Sequence, residues 1–238
     1  MSSVPWKILL GVSLGLNVLL IGLALKKRMN ALIHRLSPAI PSPHYDHRKS
    51  LFSLMTPTQR DIVFLGDSIT EGCNWSELFR NPRIKNRGIG GDTSDGVLKR
   101  LNQIIAGQPQ QVFLMVGIND LWNGDPVENV AENIRQILAC CKRTSPATKV
   151  FIQSVLPMNG TWSSIPKRIP TVNARVVVLN NKLRALASEF QQPYIDLHSL
   201  FSRDDQLDPN YTHDGLHLNG TAYMVWKSAI ENLVATNP

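Results

Sequence analysis

The sequence predicts an α/β protein, a three-layer α/β/α sandwich with a parallel sheet, preceded by one N-terminal transmembrane helix. Three observations predict it. From residue 61 onward, short apolar runs alternate with longer helical stretches. The short runs are apolar without a polar face, as strands buried between two helix layers require. Ahead of them, residues 8–25 (ILLGVSLGLNVLLIGLAL) carry only Ser13 and Asn17 as polar interruptions.

The expected strands are residues 62–66 (IVFLG), 84–89, 111–117 (QVFLMVG), 149–156 (KVFIQSVL) and 194–197. The expected helices are residues 93–105, 126–141, 172–190 and 220–234, with Pro126 suited to a first helical turn. Strands and helices in this alternation form one open parallel sheet with helices on both faces. Ligands of such sheets bind outside the carboxyl ends of the strands.

At the front, an 18-residue apolar helix spans about 27 Å, against a hydrocarbon core of about 30 Å. A cleaved signal peptide would have a shorter apolar core followed by a small-residue cleavage site. Here Lys26, Lys27 and Arg28 follow at once, so the run reads as an uncleaved anchor. Positive flanks favour the cytoplasmic side, which places the domain inside, with a periplasmic or extracellular domain as the alternative. Residues 37–43 (SPAIPSP) cannot continue a helix and read as a spacer. The chain therefore divides into residues 1–30 as anchor with basic flank, 31–55 as spacer and lead-in, and 56–238 as the α/β domain.

The formal charge of +7 clusters at the front, in Lys26, Lys27, Arg28, Arg35, Arg48 and Lys49. A basic stretch beside an apolar run meets lipid headgroups, and no motif with interleaved aromatics points to nucleic acid. Cys73, Cys140 and Cys141 are odd in number and two are adjacent, so no disulfide scaffold is expected.

Four segments carry chemistry. Ser68 follows the first strand in Gly66-Asp-Ser-Ile-Thr-Glu-Gly72, where a serine is either a helix cap or a group exposed to ligand. The surroundings are not the G-x-S-x-G elbow. Paired Gly90 and Gly91 precede Asp92 and Thr93, and let the backbone approach a ligand or make a capped turn. The segment lacks the G-x-G-x-x-G spacing of a dinucleotide site. Asn119, in Val116-Gly-Ile-Asn-Asp120, offers a side-chain amide to a developing oxyanion or serves as a turn residue. Asp214 and His217 stand three apart before the last helix, where the carboxylate can orient an imidazole acting as general base. His213 and His217 also have the spacing of two helical metal ligands, but Gly215 between them disfavours a helix. His34, His44, His47 and His198 read as surface or packing residues.

All four segments fall at the predicted active edge, in an order that supplies a nucleophile, oxyanion donors and a base. The set Gly66-Asp67-Ser68, Gly91-Asp92-Thr93, Gly117-Ile118-Asn119-Asp120 and Asp214-Gly215-Leu216-His217 resembles the four blocks of the GDSL/SGNH hydrolases, over about residues 61 to 235. The Gly-Ile-Gly-Gly-Asp and Asp-x-Leu-His-Leu wording is similar to platelet-activating factor acetylhydrolase catalytic subunits. Gly-Asp-Thr and Gly-x-Asn-Asp are similar to bacterial thioesterase/lysophospholipases.

The resemblance implies a flavodoxin-like sheet and a serine esterase needing no metal or organic cofactor. It makes Ser68 the nucleophile, His217 the base and Asp214 its orienting partner. The backbone N–H groups of Ser68 and Gly91 and the amide of Asn119 form the oxyanion hole, with Gly90 the alternative to Gly91. The expected substrate is a carboxylic ester of a lipid or acylated sugar, and the membrane is met through residues 8–25. Residues between Pro157 and Pro170 form a loop near the active edge, with Trp162 as a substrate wall or a packing residue. An acyltransferase using the same residues, or a non-catalytic binding module of the same fold, are the rival readings.

Overall fold

Five parallel strands organise the computed structural model, which describes residues 42–161 and 166–234. They are β1 (Ile62–Gly66), β2 (Ile84–Gly88), β3 (Gln111–Met115), β4 (Lys149–Gln153) and β5 (Tyr194–Ile195), side by side in the order β2-β1-β3-β4-β5. A short antiparallel pair, β6 (Ser202–Arg203) and β7 (Gln206–Leu207), stands apart. The helices are α1 (Pro43–Ser53), α2 (Ser68–Glu71), α3 (Trp75–Leu78), α4 (Ser94–Arg100), α5 (Asn102–Ile105), α6 (Ile118–Asn123), α7 (Val127–Thr144), α8 (Ile169–Glu189), α9 (Leu197–Phe201) and α10 (Gly220–Ile230). The architecture is the expected three-layer α/β sandwich on a parallel sheet.

Every residue of β1 and β3 is buried, which explains why these runs lack a polar face. In register, Phe64 faces Phe113, and Phe113 faces Phe151. Their rings form a ladder across three strands, with centroids 4.9 and 4.5 Å apart. Trp75 stacks on Phe64 at 4.2 Å and meets Trp226 of α10 edge-on, closing this side of the core. Helix α7 buries Val127, Val130, Ile134, Ile137, Leu138 and Cys141, the three- and four-residue spacing of one helical stripe, and packs between α4 and α8.

The structure adjusts several boundaries. The third strand stops at Met115 because Gly117 turns the chain into α6, with φ of 139°. The stretch expected as one helix over residues 93–105 is two, α4 and α5, meeting at Leu101, whose N–H bonds Leu98 three residues back. Residues 43–53, within the segment read as spacer and lead-in, form α1. Pro43 starts it, where a missing N–H costs nothing, and Phe52 is buried. The expected span at residues 8–25 lies outside the described residues. Among the described residues, no helix is long and apolar enough to cross a membrane.

The chain leaves β1 for β2 on one side and returns to β3 on the other, so the sheet's direction of growth reverses between β1 and β3. A crevice opens outside the carboxyl ends at such a point. Ser68, the Gly90-Gly91 turn and Asn119 directly follow β1, β2 and β3. Gly88 lets α2 approach this edge. A Cβ there would lie 2.3 Å from the Glu71 nitrogen and 2.8 Å from the Asp67 carbonyl oxygen. Both are backbone atoms, so nothing can swing aside. Gly88→Ala is expected to destabilise the fold by about 1–3 kcal/mol in denaturant unfolding, as overpacking does elsewhere. An unchanged midpoint would show that α2 does not need this close approach.

Candidate active site

Ser68 opens α2. Its predecessor Asp67 caps the helix, accepting the Ile69 N–H at 3.0 Å, and this fixes the turn on which the Ser68 hydroxyl stands. As the first helical residue, Ser68 has an N–H with no intrahelical acceptor, and it stands at the sheet edge.

The partners come from the loop before α10. An isolated bridge between Thr212 and Leu218 closes that loop. The Asp214 Oδ1 accepts the backbone N–H groups of Leu216 and His217 at 2.9 and 2.8 Å. Its other oxygen, Oδ2, bonds His217 Nδ1 at 2.6 Å, and His217 Nε2 lies 3.0 Å from Ser68 Oγ. Partial burial pushes the Asp214 carboxyl up, but the His217 ring and the two N–H donors outweigh this and hold it down at about 2. A carboxylate ionised at all working pH values thus faces one imidazole nitrogen while the serine hydroxyl faces the other.

On the opposite side, the Asn119 amide donates to the Asp92 carbonyl oxygen at 2.9 Å, leaving its second N–H for a ligand. The two glycines of the turn differ in their hydrogen bonding. The Gly90 N–H donates to Glu71 Oε2 at 2.7 Å and is spent. Gly91 has φ of +77° and an exposed backbone, and its N–H makes no hydrogen bond among the described residues. A side chain at this φ would strain the backbone even though the space around it is open.

Beneath the edge lies a polar layer that the sequence reading missed. Arg100, fully buried, donates from Nε to Asp92 at 2.7 Å and from Nη2 to the carbonyl oxygens of Gly66 and Arg87, at the ends of β1 and β2. Asp120 accepts the Ser94 N–H and hydroxyl, the latter at 2.6 Å. Burial raises the Asp92 carboxyl, with Arg100 pulling the other way. Burial likewise pushes Asp120 up to about 6 against its Ser94 hydrogen bonds. Asp67 forms no ion pair among the described residues, and burial, assisted by the charges of Asp92 and Asp120, pushes it up to about 7. Asp67 and Asp120 lie inside the quoted motifs, but their burial left no local signal. Arg100 reads in sequence as an ordinary basic residue near a helix end.

The remaining sequence candidates separate. His213 is exposed, and among the described residues no three His, Cys, Asp or Glu side chains gather as metal ligands. His44, read as a surface residue, bonds Glu71 at 3.0 Å. Trp162 lies outside the described residues. Arg168, at the far end of the same loop, stacks over Trp122 of α6 at 4.5 Å and donates to its carbonyl oxygen, packing this arm beside the helix that carries Asn119.

The raised carboxyls fix the sign of a pH effect. A folded Asp67 with a pKa of about 7 keeps its proton over a range where an unfolded aspartate, near 3.9, has lost it. The folded state binds more protons there, so stability falls as pH rises from about 4 to 7, at up to about 1.4 kcal/mol per pH unit per proton. Asp120 acts in the same direction up to about 6. Asp67→Asn keeps an oxygen for the Ile69 N–H and cannot ionise. It is expected to flatten the decline and to be more stable than the parent above pH 7 in unfolding measured across that range. An identical slope in the variant would show that Asp67 is not the group responsible.

Comparison with known proteins agrees with this geometry. The GDSL-like lipase/acylhydrolase family model matches residues 64–225. Platelet-activating factor acetylhydrolase IB subunit alpha1 of Bos taurus is 29% identical over 182 residues, 73% of this chain and 75% of the relative. The alpha2 subunit of Gallus gallus is 30% identical over 171 residues, 68% of this chain and 71% of the relative. A crystal structure of a GDSL-like lipase from Bacteroides thetaiotaomicron superposes with a TM-score of 0.69 at 24% identity, covering 79% of this chain and 96% of that one, a likeness of fold. The chain belongs to the GDSL-like lipase/acylhydrolase family, and its enzyme class is that of the carboxylic ester hydrolases.

Proposed function

We propose that the chain is a serine esterase that cleaves acetyl or other acyl esters of a lipid or carbohydrate through an acyl-serine intermediate. The observation that carries this reading is the unbroken hydrogen-bonded line from Asp214 Oδ2 through both nitrogens of His217 to Ser68 Oγ, at 2.6 and 3.0 Å. Ser68 Oγ attacks the ester carbonyl while His217 Nε2 takes its proton, and Asp214 stabilises the imidazolium that forms. The carbonyl oxygen, now negative, is received by the N–H groups of Ser68 and Gly91 and the free N–H of Asn119. One preorganised donor of this kind contributes roughly 3 kcal/mol in the transition state. The imidazolium returns its proton to the departing alcohol. Water then repeats the sequence on the acyl-serine, with His217 again as base, and releases the acid. His217 thus carries each proton, first from Ser68 to the departing alcohol and then from water back to Ser68.

The oxyanion site grips a carbonyl and leaves acyl chain and alcohol free. The name acetylhydrolase carried by the 29–30% identical relatives supports a short acyl group. The apolar run of residues 8–25 with its basic flank supports attachment to a membrane through one span, and the charge asymmetry supports a cytoplasmic domain.

The test compares the detergent-solubilised chain with Ser68→Ala, His217→Ala and Asp214→Asn on p-nitrophenyl esters from acetyl to palmitoyl. Activity is expected to be highest on short acyl groups and to fall by about four orders of magnitude or more in Ser68→Ala and His217→Ala. During turnover, the Ser68 peptide should gain the mass of the acyl group. Wild-type rates in Ser68→Ala would overturn the assignment.

A further inference from the structure

We propose that Glu71 is the positioning residue of the oxyanion loop, and that α1 holds Glu71 in place through His44 and Arg48. The inference rests on the reading of Gly91 as an oxyanion donor. It concerns how that N–H is aimed.

Two consecutive glycines leave a turn with unusual backbone freedom. Freedom is unwanted where an N–H must meet a developing charge within a few tenths of an ångström. The Gly90-Gly91 turn is bracketed by Ile89, whose N–H donates to the Gly66 carbonyl oxygen at 3.1 Å, and by Asp92, whose N–H returns to the Ile89 carbonyl oxygen at 3.1 Å. Between these brackets, the bond from the Gly90 N–H to Glu71 Oε2, at 2.7 Å, is the remaining anchor. With that N–H fixed, only the torsions flanking the Gly90–Gly91 peptide remain to set where the Gly91 N–H points.

Glu71 is built to be that anchor. It lies in α2 one turn beyond Ser68, and its own N–H donates to the Asp67 carbonyl oxygen at 2.9 Å. The Asn86 amide holds the Glu71 carbonyl oxygen at 3.0 Å, while its oxygen accepts the Gly88 N–H at 2.8 Å. The nucleophile's helix and the strand feeding the glycine turn are therefore fastened together on either side of this side chain. The carboxylate is also clamped from outside. Arg48 Nε lies 2.9 Å from Oε1 as an ion pair without hydrogen-bond alignment, and His44 Nε2 lies within hydrogen-bond distance, 3.0 Å, of both oxygens. His44 and Arg48 are four apart on α1 and share one face. With only 20% of its side chain exposed, Glu71 is poorly placed for a solvent-exposed ion pair and well placed to accept several donors at once.

The experiment uses the full chain in detergent. It measures kcat and KM on p-nitrophenyl acetate, the thermal midpoint, and amide hydrogen exchange at Gly90, for the parent, Glu71→Ala, Glu71→Gln and Arg48→Met. Removing an oxyanion donor outright costs about 100- to 1000-fold. A loosened donor is expected to cost less, so Glu71→Ala should lower kcat by about 10-fold or more, with KM within about 2-fold and faster exchange at Gly90. Glu71→Gln retains an oxygen for the Gly90 N–H and should recover most of kcat and of the protection. Arg48→Met should fall between the two. Parental kcat in Glu71→Ala, or equal impairment in Glu71→Gln and Glu71→Ala, would overturn the proposal. Absence of Ser68-dependent hydrolysis in the parent would count against the esterase reading alone. The anchor would then stand or fall on whether Gly90 exchange quickens in Glu71→Ala and is restored in Glu71→Gln.

Discussion

Arg100 lies wholly out of water beneath the carboxyl ends of β1 and β2, with Asp92 as its ion partner and the carbonyl oxygens of Gly66 and Arg87 as further acceptors. Removing a cation from water costs several kcal/mol, recovered only when its donors are matched. Here Nε and Nη2 are matched while Nη1 has no partner among the described residues. The matched donors tie three segments into one position: the end of β1, which precedes Ser68, the end of β2, and the turn that follows it. The backbone oxygen of the same Asp92 receives the Asn119 amide from the end of β3. One buried ion pair thus fixes the relative placement of all three strand ends at the candidate site. Leaving either partner buried alone costs about 3–5 kcal/mol, which makes the arrangement all-or-none.

The same layer concentrates carboxyl groups. Asp67, Asp92 and Asp120 are buried close together with Arg100 as the cation of the group, and burial raises all three. Buried charge is costly, and its retention here follows from what the oxygens hold. Asp67 caps the helix that begins with Ser68, Asp92 gathers Arg100 and the Thr93 N–H, and Asp120 secures the start of α4 through Ser94. Asp214 differs in kind. Exposed and surrounded by donors, it is held down at about 2, so the charge facing His217 persists at pH values where Asp67 and Asp120, pushed up to about 7 and about 6, are protonated.

Helix α1 changes how the segment before the domain is understood. It is no passive tether, since Tyr45 hydrogen-bonds Asp92, Phe52 enters the core beneath the guanidinium groups of Arg48 and Arg87, and His44 and Arg48 grip Glu71. Proline-rich composition concealed this. Pro43 is compatible with a helix start as well as with a spacer, and the short polar helix after it lacks the apolar stripe by which α7 was legible.

The sequence by itself determined the layer architecture and the location of the chemistry. Unbroken apolar runs at residues 62–66 and 111–115 can be satisfied only between two layers, and helical periodicity over α7 states which face is covered. Ser68, Gly91, Asn119, Asp214 and His217 follow strands or precede a helix in the chain, so alternation alone put them at one edge. Tertiary structure decided everything that depends on partners remote in sequence. The contact of Ser68 with His217 joins positions 149 apart, and the bond from Gly90 to Glu71 joins positions 19 apart. That bond occupies the Gly90 N–H and leaves the Gly91 N–H without a hydrogen bond among the described residues, and burial turned Arg100 from a surface cation into the keystone of the sheet edge. Local pattern records how buried a residue is and with what period. It carries no record of which polar group meets which, because that is set by packing between elements.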